Sequence, residues 1–338
     1  MATPRKKTSS KSKARRQVVL KQPARRGRRT KSLQRLKPVY FEQNMAGLKP
    51  GPPKTPTSPS ARTKSKNPRA STRAGSTQGG LAYAGDSGTG NGRGVALVTG
   101  GAGSMGTTIC QALAREGMRV VVGYKRSAEK ATSLAASLPG DGHVALHAPV
   151  TDSAALAGLA GEIERRYGVC DVLVNCAGVT RFVPHGDLDG LDDALIENIL
   201  ATNVRGSFAT VRALRPLLEK STQAGGAVVI NISSIAGVTA MGSNVIYCAS
   251  KAAVDNMTKS LARALAPRIR VVSVSPGLVN NEFVRSMDKR WLDEQVARTP
   301  LKRLAAPDEV ASAIIAAIKH FTFTTGAILP VDGGRPLA

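Results

Sequence analysis

The sequence is poor in cysteine and in aromatic residues. Only four cysteines occur among 338 residues, and no two of them have C-x-x-C spacing. This pattern argues against a disulfide framework and against a zinc site, and it favours a reducing compartment. The cysteines are Cys110, Cys170, Cys176 and Cys248.

Long apolar runs and metal-ligand clusters are also missing. No segment approaches the roughly 18 consecutive apolar residues that a membrane-spanning helix needs, and no apolar run follows the basic start as in a secretory signal. His143 and His147 are four residues apart, but on a predicted strand this spacing does not give the helical pair that often binds zinc. We expect no integral membrane segment and no metal site.

Acidic residues are nearly absent from the first part of the chain. Residues 1–94 contain 23 Lys and Arg but only Glu42 and Asp86 as acids, and the whole chain has a net charge of +25. Residues 1–93 combine this charge with Pro, Gly, Ser and Thr and lack periodic apolar positions, so we predict a disordered basic extension.

Three roles for residues 1–93 stay open. They are nonspecific contact with nucleic acid or another polyanion, an organellar targeting peptide, and a solvated tail or wrongly assigned start. Arg, Ser and Thr with few acids suit targeting, whereas the density of Lys and Pro suits it less. A cytoplasmic location is expected unless the targeting reading holds.

From residue 94 onward, short apolar segments alternate with helical periodicity. Strands are predicted at 95–98, 119–123, 144–148, 172–174, 228–232, 269–274 and 327–331, and helices at 128–138, 152–167, 191–218, 247–265 and 307–318. This alternation predicts an α/β fold, a single Rossmann-like doubly wound parallel sheet over residues 94–338. A ligand is expected at the carboxyl ends of the strands.

The first predicted strand ends in a glycine-rich turn, residues 99–106. Gly101, Gly103 and Gly106 match G-x-G-x-x-G, and helical periodicity follows them. Backbone N–H groups in such a turn approach a phosphate closely, so we predict nucleotide binding here; a merely structural tight turn is the alternative.

The second predicted strand leads into Lys125 and Arg126. Enzymes that use NAD often place an acid there for the ribose hydroxyls, whereas two cations suit a 2′-phosphate. NADP(H) is therefore favoured over NAD(H) as the cofactor. The alternative is that both cations are solvated loop charges.

A proton-transfer pair is predicted near residue 250. Tyr247 and Lys251 are four residues apart and share a face of a helix, and Ser234 lies thirteen positions before the tyrosine. An ammonium one turn away favours the phenolate, which suits general acid-base catalysis, and a serine hydroxyl can hold a substrate oxygen. Alone, the Tyr-x-x-x-Lys spacing also fits an ordinary helix-surface pair.

Taken in order, these motifs resemble those of the short-chain dehydrogenase/reductase family over residues 94–338. The motifs are the glycine turn, Asn175-x-Ala177-Gly178, Asn203, Ser234, Tyr247-x-x-x-Lys251, Pro276-Gly277 and Asp332-Gly333-Gly334. The resemblance implies that Tyr247 is the general acid-base, Ser234 orients the substrate oxygen, Lys251 supports the phenolate and binds the nicotinamide ribose, and Asn203 holds a relay water.

The resemblance also implies a set of residues that contact the cofactor. They are Gly100, Ser104, Met105, Gly106, Lys125, Arg126, Val150, Asn175, Ala177, Gly178, Tyr247, Lys251, Pro276, Gly277 and Val279. The chain departs from the family pattern at Ser104 (usually Gly), Pro149 (an acid near the adenine), Cys176 (Asn) and Asn281 (Thr). These departures bear on cofactor affinity more than on the chemistry.

The pattern resembles most the 3-oxoacyl-[acyl-carrier-protein] reductases and acetoacetyl-CoA reductases of that family. This implies an NADP(H)-dependent reduction of a 3-oxoacyl thioester to the 3-hydroxyacyl form, with the substrate on an acyl carrier protein or CoA, in a homotetramer or dimer. A sugar, polyol or other secondary-alcohol dehydrogenase is the alternative enzyme. An alternative of another class is a polyanion or nucleic-acid binding protein with a non-catalytic dehydrogenase-like domain.

Overall fold

The computed structural model describes residues 94–337. The predicted disorder of residues 1–93, and the roles considered for them, therefore lie outside the described residues. Seven parallel strands form one sheet in the order β3-β2-β1-β4-β5-β6-β7. They are β1 (Val95–Thr99), β2 (Arg119–Tyr124), β3 (Val144–His147), β4 (Val172–Asn175), β5 (Ala227–Ile232), β6 (Ile269–Pro276) and β7 (Ile328–Val331).

Helices connect the strands. They are α1 (Ser104–Arg115), α2 (Ala128–Ser137), α3 (Ser153–Tyr167), α4 (Asp193–Leu200), α5 (Ser207–Leu218), α6 (Ala236–Thr239), α7 (Val245–Leu265), α8 (Glu282–Arg285), α9 (Lys289–Arg298) and α10 (Pro307–Lys319). A π-helical segment, Ala201–Gly206, joins α4 to α5.

The sheet is covered by apolar packing on both faces. On β1 the side chains alternate, so that Val98 joins the core beneath α1, α2 and α10, while Leu97 joins the core beneath α3 and α5. Both residues are fully buried. The predicted doubly wound parallel sheet is confirmed. Its strands were recognisable because strands buried on two faces have continuous apolar sequences.

Three features of the helices differ from the prediction. The predicted 191–218 helix is divided by the π-helical segment, and α6, α8 and α9 were not anticipated. Helix α7 begins at Val245, two residues earlier than predicted, because the Asn244 side chain accepts the Tyr247 N–H at 2.6 Å as its N-cap. The predicted N-cap of α3, Asp152, is confirmed by its bonds from Ala154 N and Ala155 N.

The strand register brings the motifs to one edge of the sheet. Thr99 at the end of β1 pairs with Asn175 at the end of β4, and Asn175 pairs with Asn231 near the end of β5. Carboxyl ends of adjacent parallel strands meet at a common edge, which is where α/β proteins bind ligands. Residues from distant parts of the sequence are therefore neighbours here.

The carboxyl end of α10 is held by a buried cation. Arg270 on β6 is only 7% exposed, and its guanidinium donates to the carbonyl oxygens of Gly225, Ala317, Ile318 and Phe321 at 2.9 to 3.3 Å. Carbonyls in the last turn of a helix have no intrahelical partner and carry partial negative charge. Arg270 thus satisfies them and joins α10 to the sheet.

Replacing Arg270 by Met should lower the free energy of unfolding by about 2 to 3 kcal/mol, because buried carbonyls would lose charge-assisted bonds. Urea denaturation monitored by circular dichroism measures the change. The exposed neighbour Arg268 is the matched control, and Arg268→Met should change stability by less than about 0.5 kcal/mol. Equal effects at both positions would contradict this role.

Candidate active site

The glycine turn leaves the first turn of α1 open. Gly103 is the N-cap and provides no side-chain cap, so the N–H groups of Ser104 and Met105 depend on another partner. A Cβ on Gly106 would lie 2.3 Å from Gly100 O, and Gly100 itself has a φ of +65°. The turn therefore requires glycine at these two positions, and its open amides suit a phosphate.

A cavity of about 500 Å³ begins at this turn. It is lined by nine of the predicted cofactor-binding residues, namely Gly100, Ser104, Met105, Gly106, Lys125, Arg126, Val150, Ala177 and Gly178. An uncapped helix N-terminus at one point and two exposed cations at another provide positive groups that suit the phosphates of a dinucleotide. The cavity thus fits such a cofactor.

Six predicted cofactor-binding residues lie outside this lining: Tyr247 and Lys251, which are described below, and Asn175, Pro276, Gly277 and Val279. Asn175 is buried and donates from Nδ2 to Asn231 Oδ1 at 2.9 Å. Pro276 O accepts the N–H of Ile235, the residue before α6, Gly277 N–H donates to Val331 O in β7, and Val279 is 4% exposed. Direct cofactor contact by these last four residues stays a prediction.

The departures from the family pattern have specific places. Ser104 is exposed at the cavity, where its hydroxyl is not crowded, and Pro149 is buried while Val150 faces the cavity. Asn281 N-caps α8 by accepting Val284 N–H at 2.9 Å. Burial raises the pKa of the Cys176 thiol to about 11, although the Lys251 ammonium opposes the rise. The thiol in the cavity wall is therefore neutral at physiological pH.

Tyr247 and Lys251 share one face of α7, as the spacing predicts. The Lys251 ammonium lies 5.5 Å from the centroid of the Tyr247 ring and donates to Ile232 O at 2.8 Å. Lys251 is only 7% exposed, whereas Tyr247 is half-buried. The buried bond to β5 fixes the ammonium beside the phenol.

Ser234 follows β5 at the same edge of the sheet. Its Oγ accepts Ala236 N–H at 3.2 Å, so its own proton can be donated to another group. Among residues 94–337, the Ser234 hydroxyl proton has no acceptor, and Tyr247 Oη has no hydrogen-bond partner. Both hydroxyls are therefore available to a substrate oxygen.

Asn203 connects the loop after β4 to α7. Its amide exchanges bonds with Val179 N and O at 2.9 and 3.1 Å and donates to Ser250 Oγ at 3.1 Å. A Cβ on Gly178, in the cavity wall, would lie 3.5 Å from Asn203 Oδ1 and 3.9 Å from Lys251 Nζ. Asn203 and Lys251 thus lie beside the part of the cavity wall that Gly178 forms.

Cys248 and His185 lie near Tyr247, next to Gly242. Cys248 Sγ is 4.0 Å from His185 Nε2, which is also 3.2 Å from Gly242 O. Burial raises the pKa of the Cys248 thiol, so this thiol is less acidic than a free cysteine. This agrees with a packing role for Cys248. Among the described residues, no cluster of His, Cys, Asp and Glu has a metal-binding arrangement, and no described helix is long and apolar enough to cross a membrane.

Thr99 and Asn244 contribute to the site and were not singled out from the sequence. Thr99 Oγ1 accepts the N–H groups of both Cys176 and Ala177 at 3.1 Å, which fixes the loop after β4 against the glycine turn. Asn244 was recognisable in principle, since Asn just before an apolar-periodic segment is an N-cap signal.

The fold and the site define an α/β protein with a nucleotide-binding cavity and a tyrosine–lysine pair beside the cavity wall. A family model described as enoyl-(acyl carrier protein) reductase matches residues 100–335. A Streptomyces violaceoruber protein named as ketoacyl reductase 2 of the granaticin polyketide synthase is 40% identical over 72% of this chain and 96% of its own.

Two further comparisons agree with these. The 3-oxoacyl-[acyl-carrier-protein] reductase FabG of Staphylococcus aureus is 31% identical over 71% of this chain and 96% of its own. The crystal structure of a Burkholderia cenocepacia gluconate 5-dehydrogenase with NADP and tartrate has a TM-score of 0.65 and 29% identity, covering 73% of this chain and 96% of that one. The chain belongs to the short-chain dehydrogenase/reductase family and is an oxidoreductase acting on CH–OH or C=O groups.

Replacing Thr99 by Val should leave two loop amides without an acceptor and lower the free energy of unfolding by about 1 to 3 kcal/mol. Thr99→Ser keeps the accepting oxygen and should retain most of the stability. Thermal unfolding of the two variants tests this. If the valine and serine variants melt together, the loop does not depend on the Thr99 hydroxyl.

Proposed function

We propose that this protein is an NADP(H)-dependent reductase that converts a 3-oxoacyl thioester to the 3-hydroxyacyl form. The observation that carries the proposal is the Tyr247–Lys251 pair, whose ammonium lies beside Gly178 in the wall of a cavity that suits a phosphorylated dinucleotide. NADPH supplies the hydride that reaches the substrate carbonyl carbon.

Tyr247 donates its phenolic proton to the carbonyl oxygen as negative charge develops there. The free proton of Ser234 Oγ orients and stabilises the same oxygen. Lys251 favours the phenolate that remains, and the bond to Ile232 O leaves two of its N–H donors for the nicotinamide ribose.

Most of the hydrogen-bonding capacity of the Asn203 side chain is already used within the protein. Both N–H donors of its amide are engaged by Val179 O and Ser250 Oγ, and Oδ1 already accepts Val179 N–H. One lone pair of Oδ1 is left to hold a relay water between Gly178 and Lys251.

The preference for NADP(H) rests on Lys125 and Arg126. Both side chains are exposed at the cavity, beside the end of β2. A 2′-phosphate there would gain two charge-assisted contacts that NADH lacks. The NADP bound to the gluconate 5-dehydrogenase neighbour supports this choice.

The substrate class is supported by the relatives named as ketoacyl and 3-oxoacyl reductases. A sugar or polyol dehydrogenase is the second candidate, favoured by the structural likeness to a gluconate 5-dehydrogenase. We expect the substrate on an acyl carrier protein or CoA, and a homotetramer or dimer. The polyanion-binding alternative concerns residues 1–93, outside the described residues.

Tyr247→Phe should lower kcat for reduction of an acetoacetyl thioester by about a hundredfold to ten-thousandfold, because the proton donor is lost. NADPH affinity, measured by fluorescence titration, should stay close to wild type. Tyr167→Phe, which removes a phenol bonded to Gly142 O away from the cavity, is the matched control and should retain activity. Full activity of the Tyr247 variant would rule out its role.

A double Lys125→Ala/Arg126→Ala variant should bind NADPH at least about tenfold more weakly, since two phosphate contacts are lost. Binding of NADH should change by less than about threefold, because NADH has no 2′-phosphate. Isothermal titration with both cofactors measures the two affinities, and Lys130→Ala on the exposed side of α2 is the control. A parallel loss for NADH would show that these cations do not read the 2′-phosphate.

A further inference from the structure

The segment at residues 179–181 is fixed to the catalytic helix by two asparagines. Asn203 holds both backbone groups of Val179. Asn244 Nδ2 donates to Thr180 Oγ1 at 3.2 Å and to Arg181 O at 2.8 Å. This segment therefore forms a fixed wall that runs from the cavity to the first turn of α7.

The orientation of the Asn244 amide follows from its partners. Oδ1 accepts Tyr247 N–H, and Nδ2 faces Arg181 O, which only accepts. Rotating the amide by half a turn would place two donors together and two acceptors together. Thr180 Oγ1 must therefore accept a hydrogen bond from Asn244 Nδ2.

The Thr180 and Ser243 hydroxyls are hydrogen-bonded to each other, which leaves one of their two protons without an acceptor within the pair. Their oxygens are hydrogen-bonded to each other at 2.5 Å, and only one of the two protons can lie between them. Asn244 Nδ2 is the donor in its bond to Thr180 Oγ1, so neither hydroxyl proton is used in that bond. Whichever hydroxyl donates within the pair, the other proton has no acceptor among residues 94–337.

The hydroxyl pair lies beside the proposed reaction centre. Ser243 follows Gly242, whose Cβ position is 3.1 Å from Cδ1 of the Tyr247 ring. Thr180 follows Val179, which lines the cavity. Thr180 and Ser243 are both only partly buried, so neither residue is enclosed in the core.

We propose that the Thr180–Ser243 pair is a hydrogen-bond donor for a second oxygen of the substrate, next to the carbonyl that is reduced. A 3-oxoacyl thioester has such an oxygen, the thioester carbonyl, whereas a simple ketone has none. Asn244 is the positioning residue, because its side chain bonds to both Thr180 Oγ1 and the N–H of Tyr247. The inference rests on the proposed function and deepens it.

A Thr180→Val/Ser243→Ala double variant tests the pair with two substrates. One is S-acetoacetyl-N-acetylcysteamine, and the other is its thioether analogue, in which a methylene replaces the thioester carbonyl. Loss of one hydrogen bond should lower kcat/KM for the thioester by about tenfold and for the thioether by less than about twofold. Equal losses for both substrates, or no loss for the thioester, would overturn the proposal.

Controls separate this inference from folding and from the proposed function. NADPH titration and thermal unfolding show whether the double variant is folded, and Ser137→Ala, remote on α2, should behave as wild type. If the double variant does not bind NADPH, Thr180→Val and Ser243→Ala are measured separately, because one of them removes the donating hydroxyl. If neither single variant loses kcat/KM selectively for the thioester, the hydroxyl pair is rejected. Wild-type protein that binds NADPH but reduces neither substrate would remove the proposed function as well, whereas an active but unselective series rejects the hydroxyl pair alone.

Discussion

The position of helix α7 on the sheet is set by a buried polar seam, and the candidate site depends on it. Lys251, Asp255 and Thr258 lie one turn apart on one face, and they bond to Ile232 O, Ser273 Oγ and Asn231 Nδ2. Each of these partners belongs to β5 or β6. An apolar face tolerates small rotations, but a buried polar group that loses its partner costs about 1 to 3 kcal/mol. The seam therefore fixes the rotation of the helix, and with it the direction of Tyr247.

The same edge of the sheet holds the cofactor cavity through a few side-chain contacts to backbone. Thr99 ties the loop after β4 to the glycine turn, and Asn203 ties the next residues of that loop to α7. The cavity wall and α7 are thus connected by hydrogen bonds. The proposed hydride and proton transfers need such connections, because both require fixed distances between cofactor, substrate and phenol.

Much of this fold was predictable from the sequence. Doubly buried strands and amphipathic helices have strong local patterns, so the sheet, most helices and the residues around Tyr247 were anticipated. The exceptions involve contacts between residues that are distant in the sequence. The π-helical segment ends at Gly206, which packs so closely against the distant Val150 that a Cβ at this position would lie 2.7 Å from the valine side chain. Likewise, the Thr180–Ser243 pair joins residues 63 positions apart, and no local pattern reports such a contact.

The central claim is that Lys251, held by the sheet, keeps Tyr247 ready to exchange a proton beside bound nicotinamide. Single-turnover oxidation of protein-bound NADPH by an acetoacetyl thioester tests it most directly, in wild type and in Lys251→Met. The account predicts rapid loss of NADPH absorbance in wild type and a large slowing in the variant under conditions where NADPH stays bound to both. Equal rates in the two proteins, or no oxidation in wild type across acyl thioesters, ketones and sugars, would contradict it.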